Sequence, residues 1–252
     1  MIATAPIIET AGLTKDFAGF RAVDDVSLAI VPHTIHAIIG PNGAGKTTLF
    51  NLLSGFLFPS HGRITFEGRD ITGLAPATVA RMGIVRSFQI NSIFPHLTVL
   101  DNVKVSLQAK TGLSRRFLAS SRTSDELDAP ARAILADVGM EGSTDRLAAH
   151  LPYGRKRSLE LAISLGQDPP VLLLDEPTAG MGTDDVERTT ALIKRIAAGR
   201  TIVLVEHNLR VVADLCHRIT VLQRGRILVE GTYDEVRADQ RVIDAYLGGG
   251  HT

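Results

Sequence analysis

The run Gly40-Pro-Asn-Gly-Ala-Gly-Lys-Thr-Thr48 fits the spacing G-x-x-x-x-G-K-[ST], with Gly40, Gly45, Lys46 and Thr47 in the fixed slots. Glycines let the backbone curl without a Cβ, so that successive N–H groups point inward and form a nest for phosphate oxygens. That cradle covers Asn42, Gly43, Ala44, Gly45, Lys46, Thr47 and Thr48. A helix that follows such a loop turns its positive N-terminal end to the same anion. Lys46 adds a full charge at the β- and γ-phosphates, and the Thr47 hydroxyl is a ligand for Mg²⁺. The flanks agree: Thr34 to Ile39 reads as a buried strand leading in, and Lys46 to Ser54 as a helix leading out, stopped at Gly55. The chain is therefore expected to bind a nucleoside triphosphate.

Bulk properties narrow the class. At 252 residues and 44% hydrophobic, the chain can build a large α/β core. Lys+Arg and Asp+Glu both number 27, and this zero balance argues against a general nucleic-acid binder. The single cysteine, Cys216, excludes an internal disulfide and suits a reducing compartment. The N-terminus lacks the basic and apolar regions of a signal peptide, and no window of eighteen apolar residues predicts a membrane span. Action at a membrane would require docking onto another chain.

The order of elements predicts one domain over 1–252. Residues from about 7 to 39 read as antiparallel strands beside the first core strand, and Arg63 to Glu67 as a further strand. Leu74 to Met82 reads as a short helix with Pro76 near its start, and Ile84 to Phe88 as a strand. From about 91 to 165 the pattern is helical, at Val99 to Ala109, Ala129 to Val138 and Lys156 to Leu165, with a polar connector from Thr111 to Asp128. Buried strands are expected at Val171 to Leu174 and Thr201 to Val205, each followed by a helix, at Asp184 to Ala197 and Asn208 to Leu215. A hairpin around Arg224-Gly225 and two short helices fill about 217–247. Strands alternating with helices predict a mostly parallel sheet covered on both faces.

Other residues extend the chemistry. Asp175 and Glu176 follow a core strand at its C-terminal end, where ligands sit in open α/β sheets. Asp175 is placed to hold Mg²⁺ through water, and Glu176 to orient and deprotonate the attacking water. A neutral amide at Gln89 reaches both Mg²⁺ and γ-phosphate, and His207, at the end of another core strand, is a donor to a γ-phosphate oxygen. In Leu151-Pro-Tyr-Gly-Arg-Lys-Arg157, Gly154 precedes a basic helix start, a second place where N–H groups and a helix dipole face phosphate.

The order of loop, Gln89, Gly154 helix start, Asp175-Glu176 and His207 resembles the ATP-binding subunits of ABC transporters over nearly the whole chain. The resemblance implies an ATPase with an N-terminal antiparallel β-subdomain and an inserted helical subdomain. It also implies a face-to-face dimer with an identical or related subunit, in which Tyr153, Gly154 and Arg155 contact ATP held by the partner. Phe17 becomes the aromatic that stacks on adenine, with Val23 packing nearby and Phe20 as the competing candidate. A groove near Gln89 would receive a helix of integral membrane permease subunits, with a solute-binding protein beyond them. The chain would then sit peripherally on the cytoplasmic face of the membrane.

Two departures stand out. The usual L-S-G-G-Q carries Pro152, Tyr153 and Arg155 in place of Ser, Gly and Gln, and Gly182 stands where an Asp is usual. The L-P-Y-G-R form, the run Asp175 to Met181, T-T-L-F-N-L-L-S-G-F and the closing A-Y-L-G resemble the branched-chain amino acid importer ATPases, with urea and short-chain amide importers as the alternative. An ATPase of lipid export or iron–sulfur assembly is a further alternative. A kinase or GTPase has no use for the Leu151 segment or His207.

Overall fold

Strand β3 (Ile35–Ile39) is buried at every position, and its alternating side chains serve two cores at once. Ile35, Ala37 and Ile39 face a helical layer, while Ile38 faces an antiparallel sheet. The same division runs through β7 (Val171–Asp175) and β8 (Thr201–Val205): Leu172, Leu174, Ile202 and Leu204 point one way, Val171, Leu173, Val203 and Val205 the other. Continuous apolar runs of this kind belong to strands covered on both faces. The computed structural model describes residues 5–87, 93–111 and 126–247.

The central sheet has six strands in the order β10-β9-β3-β8-β7-β6, with β6 at Ile84–Ser87, β9 at Arg218–Gln223 and β10 at Arg226–Gly231. All pairs are parallel except the β9–β10 hairpin. A second sheet, ordered β2-β1-β4-β5, is antiparallel and comprises β1 (Ile8–Phe17), β2 (Phe20–Ile30), β4 (His61–Phe66) and β5 (Arg69–Asp70). The helix Lys46–Leu53 contributes Leu49, Phe50, Leu52 and Leu53 to the core between the two sheets. Helices Val99–Thr111, Asp128–Asp137 and Tyr153–Leu165 pack on one another as the inserted subdomain. The cores of that insertion and the parallel sheet are continuous through Val99, Val103, Leu135, Leu159 and Leu172.

Expected boundaries hold to within a few residues, with one difference that matters. The helix expected from Lys156 begins at Tyr153, with Pro152 as its N-cap. Proline lacks the N–H that a helix start leaves unpaired, so it favours this position, and Gly154 falls inside the first turn instead of before it. Most of the polar connector and all of Phe88 to Ser92 lie outside the described residues, as does Gln89 with them. Cys216 packs against the core, where burial pushes its thiol up to about 12.

Candidate functional site

The phosphate loop is shaped by contacts with β2 and with the β9–β10 hairpin. Gly40 has φ +149, and a Cβ there would stand 2.2 Å from the Leu222 carbonyl oxygen of β9. Gly45 has φ +99, and its Cβ would stand 2.3 Å from the carbonyl oxygen of Ala22 in β2. Gly225, in the turn of the C-terminal hairpin, donates its N–H to Ala44 O at 3.0 Å and accepts at its carbonyl from Asp24 N at 2.8 Å. A Cβ at Gly225 would meet Ala22 O at 2.9 Å. The loop is thus clamped between β2 and the hairpin, each contact requiring the absence of a side chain. Asp24 fastens the clamp through Arg21 (3.0 Å) and Arg226 (2.6 Å), whose hydrogen bonds hold its carboxyl below the usual carboxylate range.

Within the loop, Gly43 has φ +76 and open space where its Cβ would lie. Lys46 is 6% exposed and donates from Nζ to Gly40 O at 2.7 Å and Pro41 O at 3.0 Å. Burial pulls its ammonium below the ordinary lysine value, and the Glu176 carboxylate opposes that fall. A cleft of about 280 Å³ opens on this loop, lined by Asn42 to Thr48, Phe20, Ala22, Glu176 and His207. The sequence-predicted loop residues, Glu176 and His207 therefore share one space.

Glu176 leaves β7 in the left-handed region, at φ +47, with its N–H bonded to Val205 O at 2.9 Å. That turn brings its Oε1 to 2.9 Å from His207 Nε2. Asp175 lies one residue earlier and is held differently. Its Oδ2 meets Arg86 Nη2 of β6 at 2.5 Å, and Arg86 Nη1 donates to Asn51 Oδ1 on the helix after the loop, also at 2.5 Å. The guanidinium lies 5.7 Å from the centroid of the Phe50 ring and 5.9 Å from that of Phe56. Sequence reading did not single out Arg86 or Asn51. The available signal was a lone cation in the otherwise β-prone run Ile84 to Phe88.

On the side where a base would lie, the structure places the expected residues as follows. Phe20, 64% exposed, lines the cleft, and Phe17, 42% exposed, is its cross-strand partner across the β1–β2 turn and carries Lys15 Nζ 5.1 Å from its ring centroid. Val23 has no exposed surface and belongs to the core between the sheets, behind β2.

The segment expected to act across a dimer lies elsewhere in the fold. Tyr153, Gly154 and Arg155 open the helix Tyr153–Leu165 beside a groove of about 540 Å³ shared with Asp185 and Arg188. Arg155 Nη1 donates to Gly139 O at 2.5 Å, and Tyr153 lies beneath Arg157, whose Nη1 pairs with the buried Glu160 at 3.0 Å. Gly182 is the N-cap of the helix Thr183–Ile196 and supplies no side-chain cap; the acids Asp184 and Asp185 follow in the first turn.

Among the described residues no group of three or more His, Cys, Asp or Glu side chains is disposed to hold a metal ion. Thr47 and Asp175 nevertheless suit Mg²⁺, because this ion is commonly bound by one or two protein oxygens together with substrate phosphates. The loop, acid strand end and histidine define a nucleotide-hydrolysing cassette built on a parallel sheet.

Comparison with known proteins gives the family. The ABC transporter family model matches residues 23–179, and the model for branched-chain amino acid ATP-binding cassette transporters matches residues 226–252. The high-affinity branched-chain amino acid transport ATP-binding protein LivG of Salmonella typhimurium is 39% identical over 250 residues, covering 96% of this chain and 98% of that protein. BraF of Pseudomonas aeruginosa, of the same description, is 36% identical over 252 residues, covering 96% and 98%. The ADP conformation of MJ1267, an ATP-binding cassette of an ABC transporter, superimposes with a TM-score of 0.85 at 29% identity, covering 97% of this chain and all of that one. The chain belongs to the ATP-binding subunits of ABC transporters and is an ATPase of that family. Among the described residues, no helix is long and apolar enough to cross a membrane.

Proposed function

We propose that this ATPase energises an importer for branched-chain amino acids, working as one of two cassettes beneath integral permease subunits on the cytoplasmic face of the membrane. The observation that carries the hydrolytic part is the meeting of Glu176, His207 and the Asn42–Thr48 loop in one cleft. The solute class is supported by the descriptions of LivG and BraF and by the match at residues 226–252.

In this reading the loop N–H groups and Lys46 hold the β- and γ-phosphates, and an aromatic of the β1–β2 turn, Phe17 with Phe20 as the competing candidate, offers a face to the base. Thr47 and Asp175, with Gln89, would hold Mg²⁺, which would supply charge neutralisation at the phosphates, and Gln89 is also assigned to the γ-phosphate. Glu176 orients and deprotonates water, and His207 fixes the Glu176 carboxylate while donating toward the γ-phosphate. Asp175 already pairs with Arg86, so the Arg86–Asp175 contact is the part of the site that would have to adjust for Asp175 to serve as a metal ligand. Tyr153, Gly154 and Arg155 of a second cassette complete each site. A solute-binding protein delivers substrate to the permease and never meets this chain.

The test is Glu176→Gln, which keeps size and removes the base. Hydrolysis is expected to fall by at least about 100-fold with ATP still bound. A rate near that of the wild type would remove Glu176 from the role. For the solute, co-purification with the membrane subunits followed by binding assays on the associated receptor decides; recovery without any membrane partner would overturn the transporter assignment.

A further inference from the structure

Glu206 directly follows β8, one residue before His207, and is only 3% exposed. Both oxygens of its carboxylate are fully engaged. Oε2 accepts from the backbone N–H groups of His207 (2.9 Å) and Asn208 (3.1 Å). Oε1 accepts from the Thr178 backbone N–H at 3.0 Å and from the Thr178 hydroxyl. Two donors on each oxygen exhaust the acceptor capacity of a carboxylate.

A purely local role would account for only half of this. The bonds from Oε2 order the turn into the helix Leu209–Leu215, whose N-cap is Asn208. The bonds to Oε1 cross 28 residues of sequence to the loop after β7. With the contact from His207 Nε2 to Glu176 Oε1, they close a ring: Glu176 to Thr178 through the chain, Thr178 to Glu206, Glu206 to His207 through the chain, and His207 back to Glu176. Ala179 N donates to Glu176 O at 3.1 Å inside the ring, and Val205 O holds the Glu176 N–H from below. Thr178 also opens the stretch that runs through Gly182 into the helix beside Gly154.

We propose that Glu206 is a positioning residue that fixes His207 against Glu176 and couples both to the Thr178–Gly182 loop. It touches no reactant. A displacement of that loop is carried by Thr178 to the carboxylate, and from there to the backbone of His207. The proposal rests on the roles assigned above to Glu176 and His207.

The experiment compares ATP hydrolysis, ATP binding and thermal unfolding of the full chain in Glu206→Gln, Thr178→Ala, Thr178→Ser and Glu176→Gln. An amide in place of the carboxylate turns an NH₂ toward one of the two donor pairs. Glu206→Gln should lower kcat at least about tenfold while KM for ATP stays within about twofold, since a misplaced group costs rate more than affinity. Thr178→Ala keeps the backbone donor and should lose less, and Thr178→Ser, which restores the hydroxyl, should recover most of that loss. A capping role alone would lower the melting temperature without this split between kcat and KM. Wild-type kcat in Glu206→Gln overturns the proposal; if that variant does not fold, wild-type kcat in Thr178→Ala does so. An inactive Glu176→Gln beside a fully active Glu206→Gln defeats Glu206 alone, whereas an active Glu176→Gln defeats the site assignment beneath it.

Discussion

The glycines of the phosphate loop and the glycine of the Leu151–Arg157 segment are glycines for different reasons. At Gly40 and Gly45 the chain's own backbone excludes a Cβ, with carbonyl oxygens 2.2 and 2.3 Å away and φ values outside the range of ordinary residues. At Gly154 nothing of the kind holds. It sits in the first turn of a helix, and a Cβ would touch the Asp185 carboxylate at an ordinary 3.6 Å. The first half of the proposed two-subunit site, the phosphate loop, is thus dictated by folding, through the clamp of β2 and the C-terminal hairpin. The second half carries a glycine that this chain does not require, in a helix where alanine would be favoured by about 1 kcal/mol. A residue chosen against its own fold points to something that approaches from outside it.

The largest expected effect comes from breaking the first half. Gly45→Ala puts a methyl group against Ala22 O and forces a left-handed conformation on a residue with a side chain. The conformational and overpacking costs together amount to about 3 kcal/mol or more. Chemical denaturation should show that loss without any nucleotide present. Stability within about 1 kcal/mol of the wild type would mean that the clamp yields, and the contrast between the halves would fall with it.

A smaller effect reaches the same half through pH. His36 lies in β3, the strand that delivers the loop, with no exposed surface and its Nε2 2.7 Å from Thr220 Oγ1. Burial pulls its imidazole down to about 4 from an ordinary 6.5. Above pH 6.5 both folded and unfolded chains hold it neutral, so it has no effect there. Below that, the unfolded chain takes up the proton first, and stability falls until the folded value is reached near 4. By pH 5 the loss attributable to His36 should be about 2 kcal/mol. His36→Gln, which retains a partner for Thr220, should flatten this limb in unfolding curves taken from pH 7.5 to 5. An unchanged slope would place the acid sensitivity elsewhere.

The same contrast marks what was readable from sequence alone. The loop, its flanking strand and helix, and the acid and histidine at strand ends were legible because local patterns fix them: a motif spacing, a helical apolar period, an apolar run ending in a polar pair. What escaped depends on pairings far apart in the chain. Arg86 meets Asp175 across 89 residues, and Gly225 locks against Ala44 through a hairpin near the opposite end of the sequence. Phe17 and Phe20 compete as the base-side aromatic in the sequence, and the turn between them makes them cross-strand neighbours, with Phe20 on the cleft wall. Glu206 carried no signal of its own, because the partner of its Oε1, Thr178, lies 28 residues away in the chain. At Gly154, helix-breaking composition suggested a junction, while packing of Leu159 and Leu161 carries the helix back to Tyr153.

The smallest change in stability is the most telling. Gly154→Ala should leave the isolated chain as stable as the wild type or up to about 1 kcal/mol more so, because it replaces a poor helix former where there is room for a methyl group. The same variant, made in a Glu176→Gln background so that ATP is not consumed, should weaken ATP-dependent dimerisation. In the proposed dimer the methyl group would stand between the helix N-terminus and the partner's phosphate, lengthening the contacts assigned to backbone N–H groups where Pro152 replaces the serine usual in the family. Analytical ultracentrifugation with and without ATP reads one effect, and denaturation the other. Opposite signs in the two measurements would show that Gly154 answers to the second subunit. A drop in stability matched by no change in dimer affinity would make it a fold glycine like Gly45, and the two halves of the site would then obey a single rule.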